Sequence, residues 1–214
     1  MKAHLSLVKS ASILNDALSL VSTPSENERA GSVAAIKESV SAIEAFMNEL
    51  GELGYGYESH GHTIQNKIVL LGKNLREAEE SRKSVKYKIQ IACESLTGKK
   101  LSKGNTPTYQ KFSLVVDIRN ELAHPKASVI TLEDNLLLPP KKDQRLIKRL
   151  RSYGFVCSDQ MSHDWVSAVN NFKFAQWAHL VVVEMMIYIL YLWPHKDAIG
   201  GFMELYGLNH YVGK

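Results

Sequence analysis

Residues 33–50 read VAAIKESVSAIEAFMNEL, and this stretch decides the fold class. Its apolar side chains recur every three or four positions, which is the spacing of one face of an α-helix. They form an unbroken stripe: Val33, Ile36, Val40, Ile43, Phe46, Met47 and Leu50. Because a helix with such a face must bury it against other elements, the stretch predicts a helical bundle.

The sequence on either side of the stripe has the same period. Further helices are predicted over 5–21, 63–80, 84–96, 106–124, 141–153, 162–193 and 198–206. The stripe helix is predicted to start at the capping sequence 23–26 and to end at Gly51 and Gly54. Residues 51–61 contain four glycines without helical period and predict a loop. Residues 129–140 are predicted to be irregular or briefly extended. The expectation is one all-α domain over 1–214, an antiparallel bundle with 141–206 as a C-terminal helical extension packed on it.

Composition places the chain among ordinary globular proteins. It has 214 residues, of which 45% are hydrophobic and 22% charged, and this balance argues against disorder.

Cys93 and Cys157 lie in apolar sequence and are predicted to be reduced core residues. The N-terminus lacks the continuous apolar region of a signal peptide. The apolar run 180–193 is shorter than the roughly 20 residues of a bilayer span. We therefore expect a cytoplasmic protein with no membrane partner.

Residues 117–125 read DIRNELAHP and combine three groups that suit phosphate chemistry. Arg119 is a phosphate-binding cation, Asn120 is a neutral hydrogen-bonding amide and His124 is a proton-transfer group. Pro125 disfavours helical geometry at His124, so the imidazole is expected at the C-terminal end of the helix. The negative end of the helix dipole favours a cation there by roughly 0.3 to 1 kcal/mol, which biases the imidazole towards its protonated form. A protonated imidazole suits a general acid or a phosphate contact.

Helical spacing separates the members of this group. Asn120 and His124 are four residues apart and share a face, and Asp117 lies almost on the same line. Arg119 and His124 are about 140° apart on an ideal helix. They converge on one phosphate if the arginine side chain curls around the helix; the alternative is that a second chain completes the site.

The motif resembles the R-N-x-x-x-H pattern of HEPN domains, an all-helical family with many ribonucleases. The resemblance covers residues 33–126. It implies a metal-independent endoribonuclease that works by 2′-hydroxyl attack, with Arg119, Asn120 and His124 as catalytic residues and 2′,3′-cyclic phosphate ends as products. It also implies a homodimer with a composite active site, RNA as substrate, and a role as a toxin or antiphage effector with an antitoxin protein as a further partner. Many relatives only bind nucleotide or RNA, or scaffold a partner, so a catalytically silent domain is the alternative.

One position departs from the family. In some HEPN toxins a tyrosine two residues beyond the histidine is modified by a nucleotidyltransferase antitoxin. This chain has Lys126 there. Silencing by that route is therefore in doubt.

Three acidic residues are candidates for a supporting role. Glu44 lies beside the apolar face of its helix, and Asp117 and Glu121 lie four residues apart on the motif helix. Glu44 either supports the motif or edges the solvent face. A metal held by Asp117, Glu121 and His124 is disfavoured, because one helix offers few converging ligands. We expect neither a metal nor a cofactor.

A basic run follows the motif in the chain. It has six cationic residues among the eleven of 141–151, and these are the predicted RNA-binding residues: Lys141, Lys142, Arg145, Lys148, Arg149 and Arg151. Arg145, Lys148 and Arg149 are predicted to form a cationic ridge, and such a ridge suits an RNA backbone. The alternative is a solvated helix face. A helical adaptor that uses this ridge to contact protein or nucleic acid is the third hypothesis, of a different class.

Overall fold

The computed structural model describes residues 9–22, 28–63, 66–102, 104, 106–124, 131–133, 136–138, 140–156 and 165–211. Within these ranges the chain is all-helical apart from one short hairpin. The elements are α1 (Lys9–Ser22), α2 (Glu28–Ser59), α3 (Lys67–Glu80), α4 (Val85–Thr97), α5 (Pro107–Ala123), β1 (Thr131–Glu133), β2 (Leu136–Leu138), α6 (Lys141–Ser152), α7 (Trp165–Val169), α8 (Phe172–Tyr191) and α9 (Ile199–Leu205). Two 3-10 helices, Lys196–Ala198 and Leu208–Tyr211, flank α9.

The core lies around α2 and α8. Helix α2 contacts α1, α3, α5 and α8, and α8 also contacts α5 and α9. The predicted stripe faces this core: Ile36, Val40, Ile43, Phe46, Met47 and Leu50 are fully buried. Because burying one such side chain contributes about 1.5 to 3 kcal/mol, burial of the stripe stabilises the bundle. The all-α class predicted from the sequence is confirmed.

The end of α2 differs from the prediction. The helix continues through the glycines to Ser59, so the loop predicted over 51–61 is wrong. The glycines serve close packing instead, because a Cβ on Gly54 would lie 2.4 Å from the Cα of Gly72 on α3. Only residues without side chains allow two helices to approach so closely. The predicted start of α2, at 23–26, lies outside the described residues.

Other boundaries follow local capping chemistry. Ser84 accepts a hydrogen bond from the backbone N–H of Tyr87 and caps α4, so the helix begins close to the start predicted for it at residue 84. Residues 129–140 contain the antiparallel pair of β1 and β2, which agrees with the brief extension expected there. The long helix predicted over 162–193 is instead divided into α7 and α8, because Asn171 accepts from the N–H of Phe174 and starts a new helix. Ser162 lies outside the described residues.

Helix α8 is longer than its apolar run suggested. Its 20 residues make it long and apolar enough to cross a membrane, although 61% of the apolar window is buried within the protein. Core helices of soluble proteins have the same properties, so this is weak evidence for a membrane span.

Cys93 is a buried free thiol, and burial raises its pKa to about 11.

Candidate active site

Arg119 is held against helix α2. Its Nη2 donates a hydrogen bond to Glu44 Oε1, and the two groups form an ion pair. The arginine side chain is 20% exposed and the glutamate side chain 38%. The Nε of Arg119 is buried and has no hydrogen-bond partner among the described residues. Since guanidinium donors lie in a fixed plane, the contact with Glu44 sets the direction of the whole group.

Asn120 and His124 lie exposed at the C-terminal end of α5. His124 is the C-cap that follows Ala123, the last residue of the helix, and its backbone N–H donates to the carbonyl of Asn120 at 3.0 Å. The backbone leaves helical geometry at His124 itself, with φ −132° and ψ 65°. Neither side chain has a hydrogen-bond partner within the part of the chain that the structure describes. As exposed polar groups, both can contact a ligand.

Asp117 joins three helices. Its Oδ1 accepts from Lys86 Nζ of α4 at 2.5 Å, and its Oδ2 accepts from Arg149 Nη1 of α6 at 2.7 Å. Arg149 also donates through Nη2 to the backbone carbonyl of Gln110 at 3.0 Å. Asp117 thus fixes α4 and α6 against the motif helix, and its carboxylate is occupied by two cations.

Glu121 makes a second connection to α6. It forms an ion pair with Lys142, in which the glutamate side chain is 17% exposed and the lysine side chain 58%. Glu121 and Asp117 together hold the basic helix beside the motif. A pair this exposed contributes at most about 1 kcal/mol, so its effect is on position more than on stability.

The cationic residues of α6 fall into two groups. Lys142 and Arg149 are paired with carboxylates of α5, whereas Lys141, Arg145, Lys148 and Arg151 are exposed. The sequence predicted a ridge of Arg145, Lys148 and Arg149. Arg149 is instead directed towards Asp117 on α5. The helix buries Leu146 and Leu150 on its opposite side. The exposed cations lie on a helix that is joined to α5 by two ion pairs, and they are available to a polyanion.

Metal binding finds little support in this region. Among the described residues no group of three or more His, Cys, Asp or Glu side chains is placed to hold a metal ion. Asp117 and Glu121 each face cations instead of each other. A metal site built on these carboxylates would first have to displace their ion pairs.

Two residues make tertiary contacts that the sequence did not indicate. Lys86 lies in a loose basic cluster in the sequence, and only the tertiary contact 31 residues away connects it with Asp117. His179 of α8 is 1% exposed, with Nδ1 3.4 Å from Ser39 Oγ and Nε2 2.9 Å from the hydroxyl of Tyr211. Burial lowers its pKa to about 4, so the imidazole is neutral in the core. No spacing rule connects partners this distant in the chain.

Comparison of the chain with protein-family models, curated proteins and solved structures finds no match. The likeness of the motif to HEPN domains therefore stays a prediction, and the functional argument rests on the geometry of α2, α5 and α6.

Proposed function

We propose that this chain is a metal-independent endoribonuclease of the HEPN type. The observation that carries the proposal is the exposed pair Asn120 and His124 at the end of α5, beside an arginine whose direction is set by Glu44. An amide, an imidazole and a guanidinium supply hydrogen bonding, proton transfer and charge stabilisation at a phosphodiester. No cofactor is required for this chemistry.

The reaction is attack of a ribose 2′-hydroxyl oxygen on the adjacent phosphorus. The bond from phosphorus to the 5′-oxygen breaks, which leaves a 2′,3′-cyclic phosphate and a 5′-hydroxyl. His124 moves the proton, Arg119 stabilises the charge that grows on the phosphoryl oxygens, and Asn120 orients the substrate or the imidazole. The nucleophile belongs to the substrate, so no metal-bound water is needed.

The position of Arg119 favours a site shared by two chains. Its guanidinium is directed towards Glu44 on α2, whereas His124 is exposed at the end of α5. The helix places the two side chains about 140° apart. A homodimer in which two α5 helices face each other brings the histidine of one chain to the arginine of the other. We propose this composite site, with a cytoplasmic toxin or antiphage effector as the biological setting and an antitoxin as partner.

The direct test is cleavage of total RNA in excess chelator by the wild type and by His124→Ala. The expected result is cleavage by wild type with cyclic phosphate ends, and loss of this cleavage in the variant. His195→Ala is the matched control, because His195 is also an exposed histidine, at the start of the 3-10 helix after α8. Equal cleavage by wild type and His124→Ala, or dependence on added metal, would contradict the mechanism.

Complementation tests the dimer separately. Arg119→Ala and His124→Ala homodimers are each expected to be inactive. Mixed after partial unfolding and refolding, they form heterodimers with one site that keeps both residues. Recovery of about a quarter of wild-type activity is expected if half of the dimers are mixed and each has one intact site of two. Absence of recovery in verified heterodimers would mean that both residues act from one chain.

The ion pair of Arg119 also favours a second candidate function. A guanidinium occupied by Glu44 and partly buried is suited to a structural role, as in a silent HEPN domain that binds RNA or nucleotide. Binding of RNA without cleavage, unchanged in His124→Ala, would favour this candidate over the enzyme.

A further inference from the structure

A cleft of about 620 Å³ opens between α4, α5 and α6. Helix α4 contributes Lys86 and Gln90, α5 contributes Tyr109 and Ser113, and α6 contributes Arg149, among other lining residues. The volume lies within the roughly 300 to 1,000 Å³ of small-ligand sites. The walls carry cations, amides and hydroxyls, so a polar ligand fits them better than an apolar one.

The charge of the cleft is positive. Lys86 and Arg149 both contribute to its walls and share a single carboxylate, that of Asp117. Two cations and one anion leave one positive charge at the wall of an open cleft. A ligand with one anionic group of its own completes this arrangement, and phosphate is well matched to a lysine and an arginine side by side.

The other walls suit the base and sugar of a nucleotide. The side-chain amide of Gln90 donates to the hydroxyl of Tyr109 at 2.6 Å, and its amide oxygen accepts no hydrogen bond from the residues that the structure describes. Tyr153 contributes an aromatic ring at the α6 side, where it packs on Trp177 with ring centroids 5.4 Å apart. Aromatic rings stack with bases of any identity at about 1 to 3 kcal/mol per base.

The cleft and the motif lie along one line of α5. Ser113, Asp117, Asn120 and His124 follow each other at steps of four, three and four residues, which places them on one helix face. The 11 residues from Ser113 to His124 correspond to about 16 Å along the axis. A single strand of nucleic acid that follows this face spans the distance with a few nucleotides.

We propose that this cleft is a subsite for one nucleotide of the RNA strand, a few positions from the phosphate that is cleaved at His124. Its phosphate binds Lys86 and Arg149, and its base lies against Tyr153. The inference deepens the proposed ribonuclease function and rests on it for the direction of the strand. The same chemistry recognises a free nucleotide, and the experiment below separates the two sources.

The test is a binding measurement with 2′-O-methyl RNA, whose blocked nucleophile prevents cleavage. Fluorescence anisotropy measures the affinity for an octanucleotide, which is long enough to reach both the motif and the cleft. Lys86→Met is expected to lower this affinity about tenfold. Lys73→Met is the matched control, since this exposed lysine of α3 also loses one charge but pairs with Glu77 away from the cleft. An unchanged octanucleotide affinity in Lys86→Met would overturn the proposal.

A second pair of variants removes the concern that Lys86→Met disturbs Asp117. Ser113→Glu and Ser113→Gln add side chains of equal size to the cleft wall and differ by one charge. If a phosphate lies there, the glutamate variant binds the octanucleotide several-fold more weakly than the glutamine variant. Equal affinities of the two variants would overturn the proposal.

Competition identifies the source of the nucleotide. Adenosine monophosphate is expected to displace the octanucleotide only at millimolar concentrations. Displacement at micromolar concentrations would make a free nucleotide the occupant and overturn the RNA subsite. Because every one of these measurements reads binding, a chain that binds in this way but cleaves no RNA would refute the proposed reaction and leave the subsite standing.

Discussion

Glu44 and Arg119 lie 75 positions apart in the chain, and a hydrogen bond from the guanidinium to the carboxylate joins them across the interface of α2 and α5. The contact connects the helix that forms the core with the helix that carries the motif. A carboxylate beside a half-buried arginine limits the directions in which the guanidinium can point. The proposed phosphate contact thus depends on α2 as much as on α5.

Replacing Glu44 is therefore expected to reduce cleavage without unfolding the protein. Glu44→Gln removes the charge that holds Arg119, and we predict a loss of about tenfold in the cleavage rate constant. Arg119→Ala should lose about 10² to 10³-fold, as does removal of a group that stabilises charge in the transition state. Glu52→Gln is the control, because Glu52 is an exposed glutamate of the same helix. A tenfold loss in Glu52→Gln as well would argue against a specific role for Glu44.

The two groups of cations on α6 differ in their predicted effect on stability, although Arg149 also lines the proposed nucleotide subsite and should contribute to RNA binding. Arg149→Met removes both the ion pair with Asp117 and the bond to the carbonyl of Gln110, so the free energy of unfolding should fall by about 1 kcal/mol. Arg145→Met should leave stability unchanged and reduce the salt dependence of RNA binding by about 0.7 in slope, the value of one contact to single-stranded RNA. Urea unfolding and anisotropy titrations at several salt concentrations measure the two effects. A stability loss in Arg145→Met would contradict this division.

The approach of α2 to α3 predicts a sharp contrast between glycines of one helix. Gly54→Ala places a Cβ 2.4 Å from the Gly72 Cα and should cost about 2 to 3 kcal/mol of unfolding free energy. Gly56→Ala has nothing within 4 Å and should stabilise the helix by about 0.5 to 1 kcal/mol. Thermal and urea unfolding of both variants provide the comparison. Equal destabilisation by the two substitutions would mean that the helices do not pack closely at Gly54.

Burial of His179 predicts a loss of stability in acid. The pKa of this imidazole falls from about 6.5 in the unfolded chain to about 4 in the folded state because burial disfavours its charge. Between these values the unfolded chain binds a proton that the folded state lacks, so stability falls as the pH drops through this window and the loss levels off below about 4. The shift corresponds to roughly 3 kcal/mol. In His179→Asn this part of the pH dependence should disappear, and urea unfolding at pH 7 and pH 4.5 measures the difference. The same drop in both proteins would assign it to other groups.

The sequence predicts the helices well where side-chain periodicity and caps act locally. The stripe of α2 and the start of the helix predicted over 84–96 depend on neighbours within a few residues, and both are confirmed. The glycines after Leu50 misled the prediction, since their role depends on Gly72 of a different helix. A glycine that ends a helix and one that allows close packing look the same in sequence.

In the candidate site, too, the sequence predicts the features that depend on local spacing and misses those that depend on tertiary packing. The spacing of Asn120 and His124 is a local property of α5 and follows from the sequence. The pairing of Asp117 with Lys86 and Arg149 depends on how α4 and α6 pack on α5, and no local pattern encodes it. The sequence likewise names Glu44 as a candidate for support, whereas the tertiary contact identifies Arg119 as its partner.

The central claim is that the ribose 2′-hydroxyl attacks the phosphate beside Arg119 and His124. It is tested most directly with an RNA oligonucleotide whose preferred cleavage position has been mapped and whose ribose at that position is then replaced by 2′-deoxyribose. In excess chelator, wild-type protein should no longer cut at that linkage and should still cut the other sites of the strand, while His124→Ala cuts neither. Cleavage at the deoxyribose linkage, with or without His124, would contradict the account.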